Sequence, residues 1–250
     1  MSAIWHAHVL PRLNSALAHL GYRFFPLNFD YLLQALLLKR GAKEFFFIQV
    51  GAFDGISQDA FTRYIEQFQI RGVLLEPQTV PFSRLTENYR HLPRLTLLNA
   101  AVADQPGSRD FYTVRPGVPG MPEWSQQLAS FDKANILKHR DGIPEHGIAG
   151  IKNIEEHIEV RSVACVTFNQ VLDGAGAQTL DVLQIDAEGY DVDLVDAFPF
   201  DRLKPGMIRY EHMHISRSRQ AACLQRLKAL GYRFVFETAD TVAYLPGRIF

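Results

Sequence analysis

The sequence has few cysteines and no excess of basic charge, and each absence excludes a class of protein. Among 250 residues only Cys165 and Cys223 are cysteines, and neither lies in a C-x-x-C pair. Two distant thiols do not form a disulfide framework, so we expect a reducing compartment and two cysteines that pack in the core. The formal net charge is −1, whereas nucleic-acid-binding proteins normally carry a basic excess. We therefore expect no nucleic-acid partner.

Long apolar runs are also missing. Stretches such as EFFFIQV (residues 44–50) are too short to span a bilayer, so no membrane span is predicted. Polar residues interrupt the N-terminal segment where a secretory signal would be apolar, which indicates a soluble, cytoplasmic protein. With 47% hydrophobic and 21% charged residues, the chain has enough apolar surface for a sizeable core.

Strand and helix patterns alternate along the middle of the chain. The first forty residues indicate two helices, over residues 10–22 and 29–41, which could form a dimer interface or pack on the sheet. Buried strands are predicted over 44–50, 72–77, 94–102, 180–189 and 206–215, a short one over 110–114, and a C-terminal hairpin over 232–246. This pattern predicts an α/β fold, with a doubly wound, mostly parallel sheet and an antiparallel C-terminal strand. We divide the chain into an N-terminal helical extension (1–41) and a main domain (42–250).

A glycine turn follows the first buried strand, in the segment IQVGAFDGIS (residues 48–57). Gly51 and Gly55 would let the backbone turn sharply beside a ligand, and the next helix would offer its N-terminal N–H groups. Glu76 ends the second strand about twenty residues further on, where an acid can accept hydrogen bonds from both ribose hydroxyls. Dinucleotide sites and S-adenosylmethionine sites share this device.

Two features favour S-adenosylmethionine over NAD. The turn has Phe53 where a dinucleotide site has a glycine that lets the pyrophosphate approach the backbone. Acids also follow the predicted strands, at Asp54, Asp186 and Glu188, and carboxylates suit the positive sulfonium of S-adenosylmethionine.

An ordered set of blocks extends this pattern over most of Phe45–Ile215. The blocks are FFFIQVGAFDG, GVLLEPQTVPFSRLTENY, LTLLNAAVADQPGSRDFYTV, VTFNQVL, LDVLQIDAEGYDVDLV and IRYEHMHI. They resemble the FkbM family of S-adenosylmethionine-dependent methyltransferases. The resemblance implies a class I methyltransferase (Rossmann-like) fold with seven strands, of which the last is antiparallel.

The resemblance also implies a cofactor site. Gly51, Ala52, Asp54 and Gly55 would line the methionine and ribose end, and Glu76 would hold the ribose hydroxyls. Pro77 or Gln78 would flank the adenine, and the segment after the third strand would close over it through Asn99, Ala100, Ala101 and Val102. Gln49 stands where many class I enzymes have an acid, but it can still form a hydrogen bond to the cofactor.

Relatives in this family mainly methylate hydroxyl oxygens, so the resemblance implies a sugar, glycan or secondary-metabolite acceptor. An alcohol needs a general base, and the candidates are acids and histidines at two strand ends. They are Asp186, Glu188, Glu211, His212 and His214. In a strand, Glu211 and His212 would face opposite sides. Alternatively, Asp186 and Glu211 would bind Mg²⁺, which would acidify a sugar diol.

The segment from Arg115 to Arg161 is too long for an ordinary connection. We interpret it as a partly helical cap over the substrate site, and the alternative is a solvated insertion that shields the sheet edge. Its histidines lack a tight metal-binding spacing, so no zinc site is predicted from them. Two other functions remain open, an NAD-dependent oxidoreductase and a catalytically degenerate cofactor-binding scaffold.

Overall fold

The computed structural model describes residues 27–57, 59–141 and 150–250. Within these ranges the chain forms eleven strands and eight α-helices, and no helix there is long and apolar enough to cross a membrane. The strands are β1 (Phe46–Val50), β2 (Arg71–Leu75), β3 (Leu95–Leu98), β4 (Ala101–Val102), β5 (Gly107–Val114), β6 (Ala129–Ser130), β7 (Ile158–Val166), β8 (Val182–Ile185), β9 (Met207–Glu211), β10 (Arg233–Phe236) and β11 (Asp240–Tyr244). The helices are α1 (Phe29–Arg40), α2 (Thr62–Phe68), α3 (Thr79–Tyr89), α4 (Lys133–Leu137), α5 (Phe168–Gly174), α6 (Asp191–Ala197), α7 (Arg217–Ala229) and α8 (Pro246–Ile249).

The main sheet has seven strands in the order β10-β11-β9-β8-β1-β2-β3. Strands β9, β8, β1, β2 and β3 are parallel, while β11 is antiparallel to both β9 and β10. The predicted seven-stranded, mostly parallel sheet with an antiparallel C-terminal strand is therefore confirmed. The strand order reverses at β1, and in open α/β sheets ligands bind beyond the carboxyl ends of the strands at such a reversal.

Helices cover both faces of the sheet, and β1 presents apolar side chains to both. Phe46 and Ile48 pack into one core together with α5, α6 and α7. Phe47 belongs to a second core with α1, α2 and α3, because successive side chains in a strand point to opposite faces. This double burial explains why the strand is a continuous apolar run rather than an alternating one.

Helix α1 is part of the second core. The Asn28 side chain caps its start by accepting from the Tyr31 N–H, and Gly41 ends it with a hydrogen bond to the Leu37 carbonyl. Leu32 and Leu36 are fully buried in that core. We expected the N-terminal helices either to form a dimer interface or to pack on the sheet, and α1 packs on the sheet. The helix predicted over 10–22 lies outside the described residues, and the domain division and the dimer interface stay predictions.

A second, four-stranded sheet has the order β4-β7-β5-β6. The strand predicted over 94–102 is split between the two sheets, with β3 in the first and β4 in the second. The break lies at Asn99, whose side chain turns back to donate to the carbonyl oxygens of Glu76 and Pro77. The strand predicted over 110–114 is longer than expected, because β5 pairs antiparallel with β7 from Gly107 to Val114.

The long insertion connects the end of β5 at Val114 to the start of β7 at Ile158, and it contributes the short edge strand β6 to the same sheet. Its predicted helical stretch is broken into short pieces, namely 3₁₀ helices over Glu123–Gln127 and Lys138–Arg140 with β6 and α4 between them. A further 3₁₀ helix over Ile154–His157 leads into β7. The insertion has its own small apolar core, which includes Leu128, Ile136 and Ile154.

Candidate active site

A pocket opens at the carboxyl ends of β1, β2 and β8. Residues of the glycine turn, the end of β2, β4 and the loop after β8 line it, and the insertion adds Gln127, Ala129, Ser130 and Phe131. The Phe131 ring stands edge-on to Tyr190, with their centroids 5.5 Å apart, and the two rings join the insertion to the loop after β8. The insertion thus forms one wall of the pocket.

The glycine turn brings the ends of β1, β2 and β8 together. The N–H groups of Gly51 and Ala52 both donate to the carbonyl oxygen of Leu75 at 3.0 Å. Gly51 has a φ of +77°, and a β-carbon there would lie 1.8 Å from the carbonyl oxygen of Asp186. Glycine is therefore required at this position both for its conformation and for the close approach of β8.

The carboxylate of Glu76 is buried at the end of β2 and lines the pocket. One of its oxygens accepts from the Phe53 N–H at 2.9 Å, and the other accepts from the Gln78 N–H at 2.8 Å. Burial raises the pKa of Glu76 to about 7, although these two hydrogen bonds act in the opposite direction. Phe53 has a left-handed φ of +48°, so the turn holds a strained conformation that directs its N–H at Glu76.

Three carboxylates form an acidic wall of the pocket. Asp186, Glu188 and Glu211 line the pocket at the ends of β8 and β9. Burial raises the pKa of Glu188 and Glu211, and the repulsion from neighbouring acids, including the exposed Asp186, adds to the effect. Glu188 also has a left-handed φ of +49°. Like charges this close cannot all ionise cheaply, so the wall favours a positively charged ligand.

A family comparison agrees with this geometry. The Methyltransferase FkbM domain matches residues 49–234, which include the glycine turn, Glu76 and the acidic wall. The chain belongs to the FkbM methyltransferase family. Its predicted family and its class I methyltransferase fold are therefore confirmed. Among curated proteins, none matches the chain.

Solved structures that resemble this FkbM-family chain are distant. An FkbM methyltransferase from Methylobacillus flagellatus is 12% identical with a TM-score of 0.45, and the alignment covers 96% of this chain and 60% of that one. Precorrin-6y C5,15-methyltransferase from Geobacter metallireducens is 12% identical with a TM-score of 0.39, covering 89% and 93%. The O-methyltransferase TomG from Streptomyces achromogenes is 10% identical with a TM-score of 0.39, covering 95% and 89%. The family assignment rests on the matched domain alone.

The structure brings most of the predicted cofactor residues to the pocket. The lining includes Gln49, Gly51, Ala52, Glu76, Pro77, Gln78, Ala101, Val102 and Asp186. Asp54, Gly55, Asn99 and Ala100 are not among the residues that line the pocket. The Asp54 carboxylate accepts from the N–H groups of Ile56 and Ser57, so it closes the turn.

The predicted catalytic residues divide into two groups. Glu211 lines the pocket with Asp186 and Glu188, whereas His212 turns away and shares a hydrogen bond of 3.1 Å with the Thr241 hydroxyl. Neighbouring residues in a strand point to opposite faces, so Glu211 and His212 face different sides of the sheet. His214 follows the strand end, and its Nε2 lies 3.7 Å from the nearer oxygen of Glu211.

Two functional candidates were missed from the sequence. Asp59 lines the pocket and accepts a hydrogen bond from the side-chain amide of Gln49 at 3.0 Å. Gln49 stands where many class I enzymes have an acid, so Asp59 places an acid next to that position. Asp191 is fully buried and accepts from the N–H groups of Ala187, Gly189 and Glu211, which ties the loop after β8 to β9. The only signal for Asp191 is its place as an acid in the first turn of α6.

Proposed function

We propose that this chain is an S-adenosylmethionine-dependent O-methyltransferase, with Glu76 holding the ribose of the cofactor. A carboxylate offers about four lone-pair directions, and backbone N–H groups occupy one on each oxygen of Glu76. One acceptor position remains on each oxygen, which is what a ribose diol requires. This arrangement of Glu76 is the observation that carries the proposal.

The charge of the pocket supports S-adenosylmethionine over NAD. Six carboxylates line it, and Arg209 is the one basic side chain among the described lining residues; the acids are Asp59, Glu76, Asp186, Glu188, Glu211 and Asp240. Arg209 is itself neutralised by Asp240 at 2.7 Å. S-adenosylmethionine carries a sulfonium and an ammonium against one carboxylate, whereas the pyrophosphate of NAD would find no free basic side chain among the described lining residues.

Methyl transfer is an in-line displacement, in which the enzyme aligns the acceptor oxygen with the methyl group and excludes water. The insertion wall and the acidic wall would enclose an acceptor with a hydroxyl group, such as a sugar, a glycan or a secondary metabolite. We assign the proton-accepting role to Glu211, because it lines the pocket and its Oε2 is buried without a hydrogen-bond partner. Cofactor binding would lower the raised pKa of Glu211, since a positive charge favours the carboxylate.

Two further roles, a Mg²⁺ site and a base at His212, are separate proposals. Mg²⁺ bound by Asp186 and Glu211 would acidify the same hydroxyl, and chelation of divalent cations would then abolish turnover while leaving cofactor binding intact. His212 would act only if its hydrogen bond with Thr241 opened. The cytoplasmic location and any homo-oligomer also stay predictions.

Calorimetric titration with S-adenosylhomocysteine tests the cofactor, with NAD as the competing ligand. We expect micromolar binding of S-adenosylhomocysteine and none of NAD. Glu76→Ala removes two charge-assisted hydrogen bonds, each worth about 1.5–3 kcal/mol, and should weaken binding by more than about 100-fold. Glu87→Ala, on the exposed surface of α3, is the matched control and should bind normally.

The outcomes separate the three functions. NAD binding without S-adenosylhomocysteine binding would support the oxidoreductase and overturn the proposal. Normal cofactor binding without methyl transfer to any hydroxylated acceptor would support the degenerate scaffold. If methyl transfer occurs, Glu211→Gln should lower kcat by about 100-fold or more with little change in cofactor affinity.

A further inference from the structure

Three side chains from separate parts of the chain meet beside the acidic wall. His139 belongs to the insertion, Glu188 to the loop after β8, and His214 to the loop after β9. One nitrogen or oxygen atom of each lies within 4.8 Å of the other two. The two imidazole rings are 5.0 Å apart between centroids and tilted by 59°, so they converge without stacking.

Within the cluster His139 is buried, and Glu188 and His214 are partly buried. His139 is 5% exposed and its Nδ1 has no hydrogen-bond partner in the described structure, while the His214 side chain is 8% exposed. The Trp124 ring lies 5.9 Å from the ring of His139 and shields it from the side of the insertion. A buried polar nitrogen without a partner is costly, and a ligand bound by the His139 imidazole would offset that cost.

We propose that His139, Glu188 and His214 bind a divalent transition-metal ion of the Zn²⁺ type. Two imidazoles and one carboxylate form a donor set that Zn²⁺, Co²⁺ and related ions accept, whereas Mg²⁺ and Ca²⁺ prefer oxygen ligands. Three protein ligands leave a further coordination position for solvent or a substrate oxygen. The site differs in both residues and metal class from a Mg²⁺ site on Asp186 and Glu211.

Nearby charges favour a cation at this position. The charges of Asp186 and Asp191 act on Glu188, and the charge of Glu188 acts in the same way on Glu211, so a bound cation would relieve this repulsion. Lys138 already donates to the carbonyl oxygen of His214 at 3.2 Å, so the insertion is held against the loop after β9 without a metal. A metal ion would add a second link between the insertion and the strand ends.

The position also gives the ion a consequence for function. Glu188 lines the pocket and His139 belongs to the insertion, so the metal would lie next to the insertion wall. There it would fix the insertion wall and could bind an acceptor oxygen. Metal binding itself does not depend on methyl transfer, and it can be measured without cofactor or acceptor.

The test uses full-length protein freed of metal by chelation and then titrated with Zn²⁺ in a calorimeter and with Co²⁺ in an absorption spectrometer. We expect one equivalent of each ion and a Co²⁺ spectrum with intense visible bands, which indicate low coordination number with nitrogen ligands. Excess Mg²⁺ should not compete. His139→Ala and His214→Ala should each weaken Zn²⁺ binding by more than about 100-fold, because loss of even an outer-shell partner costs 10–100-fold.

The control is His91→Ala, which removes an exposed histidine outside the cluster and should bind Zn²⁺ normally. Folding of each variant is checked by thermal unfolding, and Glu188→Gln provides a third, nearly isosteric variant. Retention of Zn²⁺ binding in His139→Ala and His214→Ala would show that other histidines bind it and would overturn the proposal. Failure of the wild-type protein to bind Zn²⁺ or Co²⁺ would overturn it equally, while S-adenosylhomocysteine binding would still test the cofactor site separately.

Discussion

Glu76 makes the stability of the cofactor-free protein depend on pH in a direction opposite to that of most carboxylates. Its pKa rises from an ordinary 4.5 to about 7 because folding buries it. Between these two values the folded protein holds a proton that the unfolded chain has lost. Stability therefore falls as the pH rises through this window, and the loss is complete above the folded pKa.

The magnitude follows from the two pKa values. The difference between about 7 and 4.5, multiplied by 1.36 kcal/mol for each pH unit, is about 3.4 kcal/mol. Glu76→Gln removes the titration while keeping the shape of the side chain. The free energy of unfolding of the variant, minus that of the wild type, should therefore increase by about 3 kcal/mol between about pH 4.5 and about pH 8.

Urea unfolding of both proteins at a series of pH values, without cofactor, measures this difference. Asp54→Asn is a control, for which the free energy of unfolding of the variant minus that of the wild type should decrease as the pH rises. Burial alone would raise the pKa of Asp54, but hydrogen bonds from Ser57 and Ile56 outweigh it and lower the pKa, so Asp54 stabilises the fold above its ordinary pKa. A constant difference between Glu76→Gln and wild type across the range would refute the reasoning, since Glu76 would then titrate as an exposed acid.

Further predictions concern the cofactor, the glycine turn and helix α1. Affinity for S-adenosylhomocysteine should fall as the pH drops below about 7, because protonated Glu76 loses acceptor capacity; calorimetry across pH checks this, and a flat profile would contradict it. Gly51→Ala should lower the free energy of unfolding by more than about 2 kcal/mol. Gly117→Ala, with a similar φ but open space around it, should cost less, and equal losses in urea unfolding would be the contrary result. Leu36→Ala should cost about 2–5 kcal/mol and Leu38→Ala, only partly buried, less than about 1 kcal/mol; equal small losses would mean that α1 is not part of the core.

The sequence predicts the main sheet well because local signals there agree with the final packing. The apolar run of β1 is buried on both faces, and the acids at Glu76 and Asp186 come directly after strands. The carboxyl ends of parallel strands meet at one edge of a sheet, so residues far apart in sequence could be placed together from their positions alone.

The directions of side chains and the contacts between distant loops could not be predicted from the sequence. Asp54 and Asp59 flank the same turn, yet only Asp59 reaches the pocket, because hydrogen bonds to Ile56 and Ser57 occupy Asp54. The histidines of the insertion are not spaced along the sequence as the ligands of one metal ion usually are. His139 instead meets partners from two other loops, a meeting that depends on how the insertion folds back over the sheet.

The insertion begins and ends on two neighbouring strands, so its length can change independently of the main sheet. Because β5 and β7 pair from Gly107 to Val114, the chain leaves and re-enters this hairpin about 5 Å apart. Residues can be added or removed between these two points without changing the ends of β5 and β7. Under the proposed function, a new acceptor specificity would therefore arise, or be engineered, by exchanging the insertion between these two strands.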